Sequence, residues 1–312
     1  MKICFMGSMD FAVNILETLH EKYEVSLVVT QPDKPVGRKQ VMEGTPVKNK
    51  ALELGIELFQ PISIKKDYQR IIDEDFDFII VAAYGQIIPE KVLFHARYQA
   101  INVHASLLPK YRGGSPMHKA IIDGNEETGV SIIYMEKAMD SGLILSQSTC
   151  KIEESDNVKD IEMKLSEIGK TLLVETIERL LSGEKFGISQ EKNEVTFAYN
   201  FKKEDLEIDF HKTSKQIYNF VRGLNPWPVA YMTIDGLNIK VYEVAVHEED
   251  LSSNVSEIVK VDKSGVYIQT GSGVIVLKDL QLQGKKRMDI KSFMNGAGKA
   301  LLQVGMIIKD HL

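Results

Sequence analysis

Asn102-Val103-His104 sets a carboxamide and an imidazole two positions apart in a short apolar run that reads as a strand over residues 100–104. Side chains alternate across a strand, so Asn102 and His104 share one face while Ile101 and Val103 share the other. A lone histidine at a strand end is more often a structural cap. An amide beside it is unusual for a core, and ligand sites in open parallel sheets lie at such carboxyl ends. The run continues as Ala105-Ser106-Leu107-Leu108-Pro109-Lys110-Tyr111-Arg112-Gly113-Gly114-Ser115-Pro116, a loop shaped by proline and glycine that opens a helix at Pro116. An ordered loop there presents backbone N–H and C=O groups to a flat heterocycle. Met139-Asp140-Ser141-Gly142 follows a strand ending near Met135. Alone it reads as a turn, but a carboxylate within reach of an imidazole favours its charged form and orients the ring. Such a set suits acyl transfer. Asn102 and a charged His104 are donors for an oxygen that gains negative charge, and Asp140 holds the ring and passes protons through a water. No Ser or Cys sits beside a base to suggest a covalent intermediate.

The surrounding pattern predicts how these residues are positioned. Strands are expected over residues 2–7, 25–30, 57–60, 77–83, 100–104 and 130–135, with helices over 10–21, 45–54, near 66–73, over 116–122 and over 158–181. This alternation predicts an α/β fold with a Rossmann-like, mostly parallel sheet, helices on both faces, and sites at the strand ends. After about Gly187 the character changes. A polar stretch gives way to one more helix over 214–222, Asn225-Pro226-Trp227-Pro228, and five short strands between 230 and 277. Asp235-Gly236 and Gly271-Ser272-Gly273 are tight hairpin signals. The expectation is a catalytic domain over 1–189, a linker over 190–206 and a smaller C-terminal β-barrel domain over 207–312. Periodicity alone fits an OB-like and an SH3-like barrel equally. Trp227, the only tryptophan, reads as a packing anchor.

Composition excludes several classes. The chain has 312 residues, 44% hydrophobic and 26% charged, as an ordinary globular protein does. Its longest apolar runs are too short to cross a bilayer, and its first residues read as a strand rather than a signal peptide. Two cysteines are too few for a disulfide framework or a zinc cluster. The histidines lack metal-ligand spacing, so no metal is expected. The first strand ends in Gly7-Ser8-Met9-Asp10, without a Gly-x-Gly-x-x-Gly turn, and no Gly-Lys-Ser/Thr loop occurs, which disfavours a dinucleotide or P-loop enzyme. The net charge of −6 falls mostly on the front half, leaving a near-neutral back half to meet a different partner.

Taken together, Asn102-Val103-His104, Ser106-Leu107-Leu108-Pro109, Tyr111-Arg112-Gly113-Gly114 and Met139-Asp140-Ser141-Gly142 resemble the core of the folate-dependent formyltransferases. Thr30-Gln31-Pro32-Asp33-Lys34-Pro35-Val36-Gly37-Arg38, Ala82-Ala83-Tyr84-Gly85-Gln86-Ile87-Ile88-Pro89, Asn225-Pro226-Trp227-Pro228 and Gly284-Lys285-Lys286 are similar to segments of the tRNA-acting branch. The resemblance runs from residue 1 to about residue 295. It implies 10-formyltetrahydrofolate as co-substrate and the α-amino group of methionyl initiator tRNA as acceptor, in a cytoplasmic monomer serving translation initiation. It assigns Asn102, His104 and Asp140 to catalysis. Ser106, Leu107, Leu108, Pro109, Tyr84, Gly85 and Ile88 go to the folate, and Lys34, Arg38, Lys39, Lys285 and Lys286 to tRNA. One departure is Lys39-Gln40-Val41, where relatives carry more Gly and Lys. Alternatives are a formyltransferase for a nucleotide sugar or glycinamide ribonucleotide, a formyl-folate hydrolase, and a non-catalytic folate- or RNA-binding module.

Overall fold

The computed structural model describes residues 1–37, 40–247, 249 and 253–308. The chain forms two compact units. The first comprises Met1–Pro116, Glu127–Lys151 and Glu162–Tyr199, and the second Met117–Glu126, Ile152–Ile161 and Asn200–Leu312.

The first unit is built on strands β1 (Lys2–Gly7), β2 (Glu24–Val29), β5 (Glu57–Phe59), β6 (Phe78–Ala82), β7 (Ala100–His104), β8 (Glu127–Tyr134) and β9 (Ile144–Lys151), with a small hairpin of β3 (Lys34–Val36) and β4 (Val41–Glu43) between β2 and β5. The seven strands run β5-β2-β1-β6-β7-β8-β9 across one sheet. Pairing is parallel from β5 through β7 and antiparallel at β7–β8 and β8–β9. All five residues of β6 are buried, as in a strand covered on both faces. Helices α1 (Val13–Lys22), α2 (Pro46–Glu53), α3 (Gln69–Ile72), α4 (Glu90–Leu93) and the greater part of α6 (Val158–Leu181) connect or cover the strands, whereas α5 (Pro116–Ile122) belongs, after its first residue, to the second unit. Thr45 caps α2 by accepting from Lys48 N at 3.0 Å, and Pro46 takes the first helical position.

β9 was not expected from the sequence. Its residues Ser146, Ser148 and Cys150 are half-buried and Gln147, Thr149 and Lys151 exposed, so the strand lacks the apolar run that marked β6. β8 also departs from the parallel expectation. The turn at Asp123-Gly124-Asn125 returns the chain so that Ser131 pairs with His104 and Tyr134 with Ile101.

The second unit holds α7 (Ser214–Gly223) and an antiparallel sheet of β10 (Ala230–Ile234), β11 (Leu237–His247), β12 (Ile258–Asp262), β13 (Gly265–Gln269), β14 (Val274–Leu282) and the two-residue β15 (Met288–Asp289). α8 (Ile290–Met294) and α9 (Gly298–Leu301) follow. Thr213 and Gln216 form a reciprocal capping box at the start of α7. Asp235 and Gly236 both adopt positive φ, 47° and 75°, the geometry a two-residue hairpin with right-handed strand twist demands. Phe210, Leu224, Val241, Ile268, Leu280 and Phe293 lie at its core. Trp227 is 66% exposed, and its ring meets His118 edge-on. No helix among the described residues is long and apolar enough to cross a membrane.

Candidate active site

Every residue of β7 is buried. Val103 faces α6, which approaches closely because position 169 is glycine: a Cβ there would lie 3.1 Å from Val103 Cγ1. Alternation then turns Asn102 and His104 to the other side of the sheet. Asn102 is 9% exposed and His104 6%. The Asn102 carboxamide makes no hydrogen bond among the described residues, and its polar atoms are not among the buried unsatisfied ones, so they are open to solvent or a ligand.

His104 is held at both nitrogens. Nε2 lies 3.0 Å from the Tyr111 carbonyl, which only accepts, so Nε2 carries the proton. Nδ1 lies 3.7 Å from Asp140 Oδ2, within ion-pair range and too long for a direct hydrogen bond. The same Oδ2 accepts from Gly113 N at 2.8 Å. Tyr111 and Asp140 both sit at positive φ, 61° and 49°, a strained backbone for residues with a side chain.

Asp140 reaches His104 by a route the strand pattern does not predict. Because β8 is antiparallel, it ends beside Ile101, at the opposite end of β7 from His104. The loop over residues 135–143 therefore folds back along the sheet. Gly142 permits this: any Cβ there would collide with the Tyr134 carbonyl.

The loop after β7 is stiffened by its own polar groups. Ser131 Oγ donates to Ser106 O at 2.6 Å and accepts from Leu108 N at 3.0 Å, while Gln147 Nε2 donates to Leu108 O at 2.8 Å. Ser106 Oγ donates to Lys110 O at 2.7 Å. These backbone groups are thus taken by the protein. Ser106 is fully buried and Leu108 packs with Ile133 and Ile144, whereas Leu107 and Pro109 keep partly exposed apolar surface.

Of the segment after β6, Tyr84 and Ile88 lie in the core with Met6, Ile64 and Val92, and Gly85 adopts φ 84° against the Gln31 amide. The Tyr84 hydroxyl is buried without a partner, and burial pushes its pKa up. Its backbone carbonyl accepts from Ser8 Oγ at 3.0 Å and Gln31 Nε2 at 2.8 Å. Tyr84→Phe removes an unsatisfied hydroxyl at little change in shape. The expected result is stabilisation by about 1 kcal/mol, seen as a rise of about 2–4 °C in thermal midpoint, with kinetics unchanged. A loss of activity with this variant would place the hydroxyl in the site.

The cations are dispersed. Lys34 is exposed and its Nζ donates to Gln31 Oε1 at 2.6 Å. Arg38 and Lys39 lie outside the described residues. Lys285 and Lys286 are exposed on the turn after β14 and form no ion pair among the described residues. Their neighbour Arg287 is tied to Asp279 at 3.0 Å and lies over the Tyr242 ring.

Gln190 escaped sequence reasoning, and Arg112 stood out there only as part of the Tyr111-Arg112-Gly113-Gly114 motif. Arg112 Nε and Nη2 donate to Gln190 Oε1 at 3.0 and 2.7 Å. Gln190 Nε2 donates to the carbonyls of Asp140 and Gly142, both at 2.8 Å. A single glutamine in a polar, aperiodic stretch carries no local signal of such a role.

An amide and an imidazole thus share one strand face, with a carboxylate from a separate loop and a proline-bearing loop beside them. The sequence pattern described as Formyl transferase matches residues 1–177, and that described as Formyl transferase, C-terminal domain, matches residues 200–298. The chain belongs to the formyl transferase family and is an enzyme. It is 43% identical over 304 residues to the methionyl-tRNA formyltransferase of Staphylococcus aureus (strain MW2), covering 96% of this chain and 98% of that one. Among solved structures, WlaRD, a sugar 3N-formyl transferase determined with dTDP and 5-N-formyl-THF, aligns with a TM-score of 0.68 at 20% identity, over 92% of this chain and 99% of that one. The N-formyltransferase from Helicobacter canadensis, in complex with folinic acid and dTDP-3-aminofucose, aligns with a TM-score of 0.68 at 19% identity, over 89% and 99%. At these identities the two structures share the fold.

Proposed function

We propose that this enzyme transfers the formyl group of 10-formyltetrahydrofolate to the α-amino group of methionyl initiator tRNA, and that Asn102, His104 and Asp140 are its reacting-site groups. The observation that carries the site reading is the buried, unpartnered Asn102 carboxamide beside an imidazole flanked by a carboxylate. The sequence likeness over nearly the whole chain supports the acceptor.

In the reaction the neutral amine bonds to the formyl carbon, the bond from that carbon to the folate N10 breaks, and one proton passes from the amine to N10. Negative charge gathers on the formyl oxygen in between. Asn102 supplies a donor already free to meet that oxygen. His104 supplies a second only when its Nε2–H is shared with, or turned from, the Tyr111 carbonyl. Asp140 faces Nδ1 at 3.7 Å and stabilises an imidazolium as it forms, and its carboxylate can pass a proton through a water from the attacking amine to N10. Leu107 and Pro109 give the pterin an apolar wall, alongside backbone of the Tyr84–Gly85 segment. The whole proposed reacting set lies in one chain, so a monomer suffices.

Lys34, Lys285 and Lys286, with Arg38 and Lys39, meet tRNA phosphates. Such contacts position the acceptor without reading its sequence. Neutralising Lys285 and Lys286 together is expected to weaken tRNA binding and to lower the slope of log K against log salt by about 2. An unchanged slope would remove these lysines from the interface.

The deciding assay supplies formyl-labelled folate with charged initiator tRNA. Label on the methionine amine supports the reading. Label released as formate would make the enzyme a hydrolase, and label accepted instead by a nucleotide sugar or glycinamide ribonucleotide would reassign the acceptor.

A further inference from the structure

We infer that Gln190 is a positioning residue for the formyl-transfer site, fixing Asp140 against His104 through a relay anchored on Arg112. The inference rests on the catalytic reading of Asp140 and adds a residue that lies 50 positions away in sequence.

Every strong polar group of the Gln190 amide is committed in one direction. Its oxygen accepts two hydrogen bonds from the Arg112 guanidinium, a charge-assisted fork that orients the amide and settles which end is oxygen. Its nitrogen then donates to the carbonyls of Asp140 and Gly142. Those two carbonyls bracket the tight turn that must hold Asp140 at φ 49°. A turn held in so sparsely populated a backbone state persists only when its surroundings over-determine it. Gln190 is half-buried, which shields these bonds from competing water.

The relay ties two loops together. Arg112 lies between Tyr111, whose carbonyl receives His104 Nε2, and Gly113, whose N–H binds Asp140 Oδ2. The chain around Gln190 is itself pinned at both ends. Ile188 exchanges two hydrogen bonds with Ile144 at 2.9 Å, and Arg112 N donates to Thr196 O at 2.9 Å while Ala198 N donates to Arg112 O at 2.8 Å. Segment 188–198 therefore straps the Tyr111–Gly113 loop to the Asp140 turn, and Gln190 is the one side chain in the strap that touches both. Its direct contact with the reacting set is through the Asp140 carbonyl, and its bond to Arg112 steadies the neighbouring Tyr111–Gly113 loop.

The test compares Gln190→Ala, Gln190→Glu and each combined with Asp140→Asn, with kcat, both KM values and thermal midpoint measured for every variant. Gln190→Ala releases the turn and is expected to lower kcat by about 100-fold, the scale of a misplacement of about 1 Å, with both KM values within about 2-fold. Gln190→Glu keeps an acceptor for Arg112 but turns a carboxylate on the two carbonyls. It is expected to lose activity at least as strongly while keeping the thermal midpoint closer to that of the unsubstituted enzyme. In the Asp140→Asn background either change is expected to cost less than about 3-fold, because residues acting as one unit are non-additive. Full additivity in that background, or an unchanged kcat in Gln190→Glu, would overturn the positioning role. Loss of activity in Asp140→Asn smaller than in Gln190→Ala would instead strike at the catalytic reading of Asp140, so the two failures are distinguishable.

Discussion

Alanine in place of His104 lowers kcat by about 10³-fold or more, while the dissociation constant for the folate changes by less than about 3-fold. Loss of one preorganised donor at a developing oxyanion costs about 10²–10³ in rate. Here the loss goes further, because the ring is also the partner that Asp140 faces and the end point of the Tyr111 carbonyl. Removing it leaves a carboxylate that is 14% exposed with only the Gly113 N–H and solvent to stabilise it. The site then holds a negative charge where the reaction itself creates one. In the proposed site the folate rests on other surfaces, chiefly Leu107 and Pro109, so the split between kcat and affinity separates a chemical role from a packing role. Single-turnover kinetics and equilibrium titration on the same preparation measure it. Near-normal turnover in His104→Ala would remove the imidazole from the mechanism.

The second large effect belongs to Asn102. Asn102→Ala deletes the only donor on the β7 face that the protein does not already use, with an expected loss of about 10²–10³ in kcat. Asn102→Asp is the sharper variant. It preserves shape but sets a carboxylate where the formyl oxygen gains charge, so its loss is expected to exceed that of alanine. Because the carboxamide has no hydrogen-bond partner among the described residues to abandon, neither change leaves a broken hydrogen bond there, and the thermal midpoint is expected to hold within a few degrees. Activity in Asn102→Asp above that of Asn102→Ala would argue against an oxyanion at this position.

The β7 face was legible in the sequence because it follows from the period of a strand: Asn102 and His104 had to project together, and the structure keeps them on one face beside Asp140. The apolar runs of β1, β2 and β6 were legible for the same reason, since each rests on local chemistry. What the sequence concealed depends on contacts far apart in the chain. β9 has no apolar run to announce it. The reversal of β8 changes the end of β7 from which Asp140 must approach, and no residue in the Asp140 turn reveals that it folds back. The Arg112–Gln190 fork joins a loop to a stretch that composition marks only as polar. Tyr84 shows the opposite lesson: a segment matching a ligand-side pattern sends its aromatic ring into the core, leaving only its backbone toward any site.

The central claim is that a formyl oxygen docks against the Asn102 carboxamide with His104 and Asp140 alongside. A crystal structure of the enzyme with a stable, non-transferable 10-formyl folate analogue tests it directly. The account predicts the formyl oxygen about 2.7–3.1 Å from Asn102 Nδ2, with the imidazole within reach of the same oxygen or of the incoming amine. A formyl group bound elsewhere on the sheet, with the carboxamide still unpartnered, would contradict it.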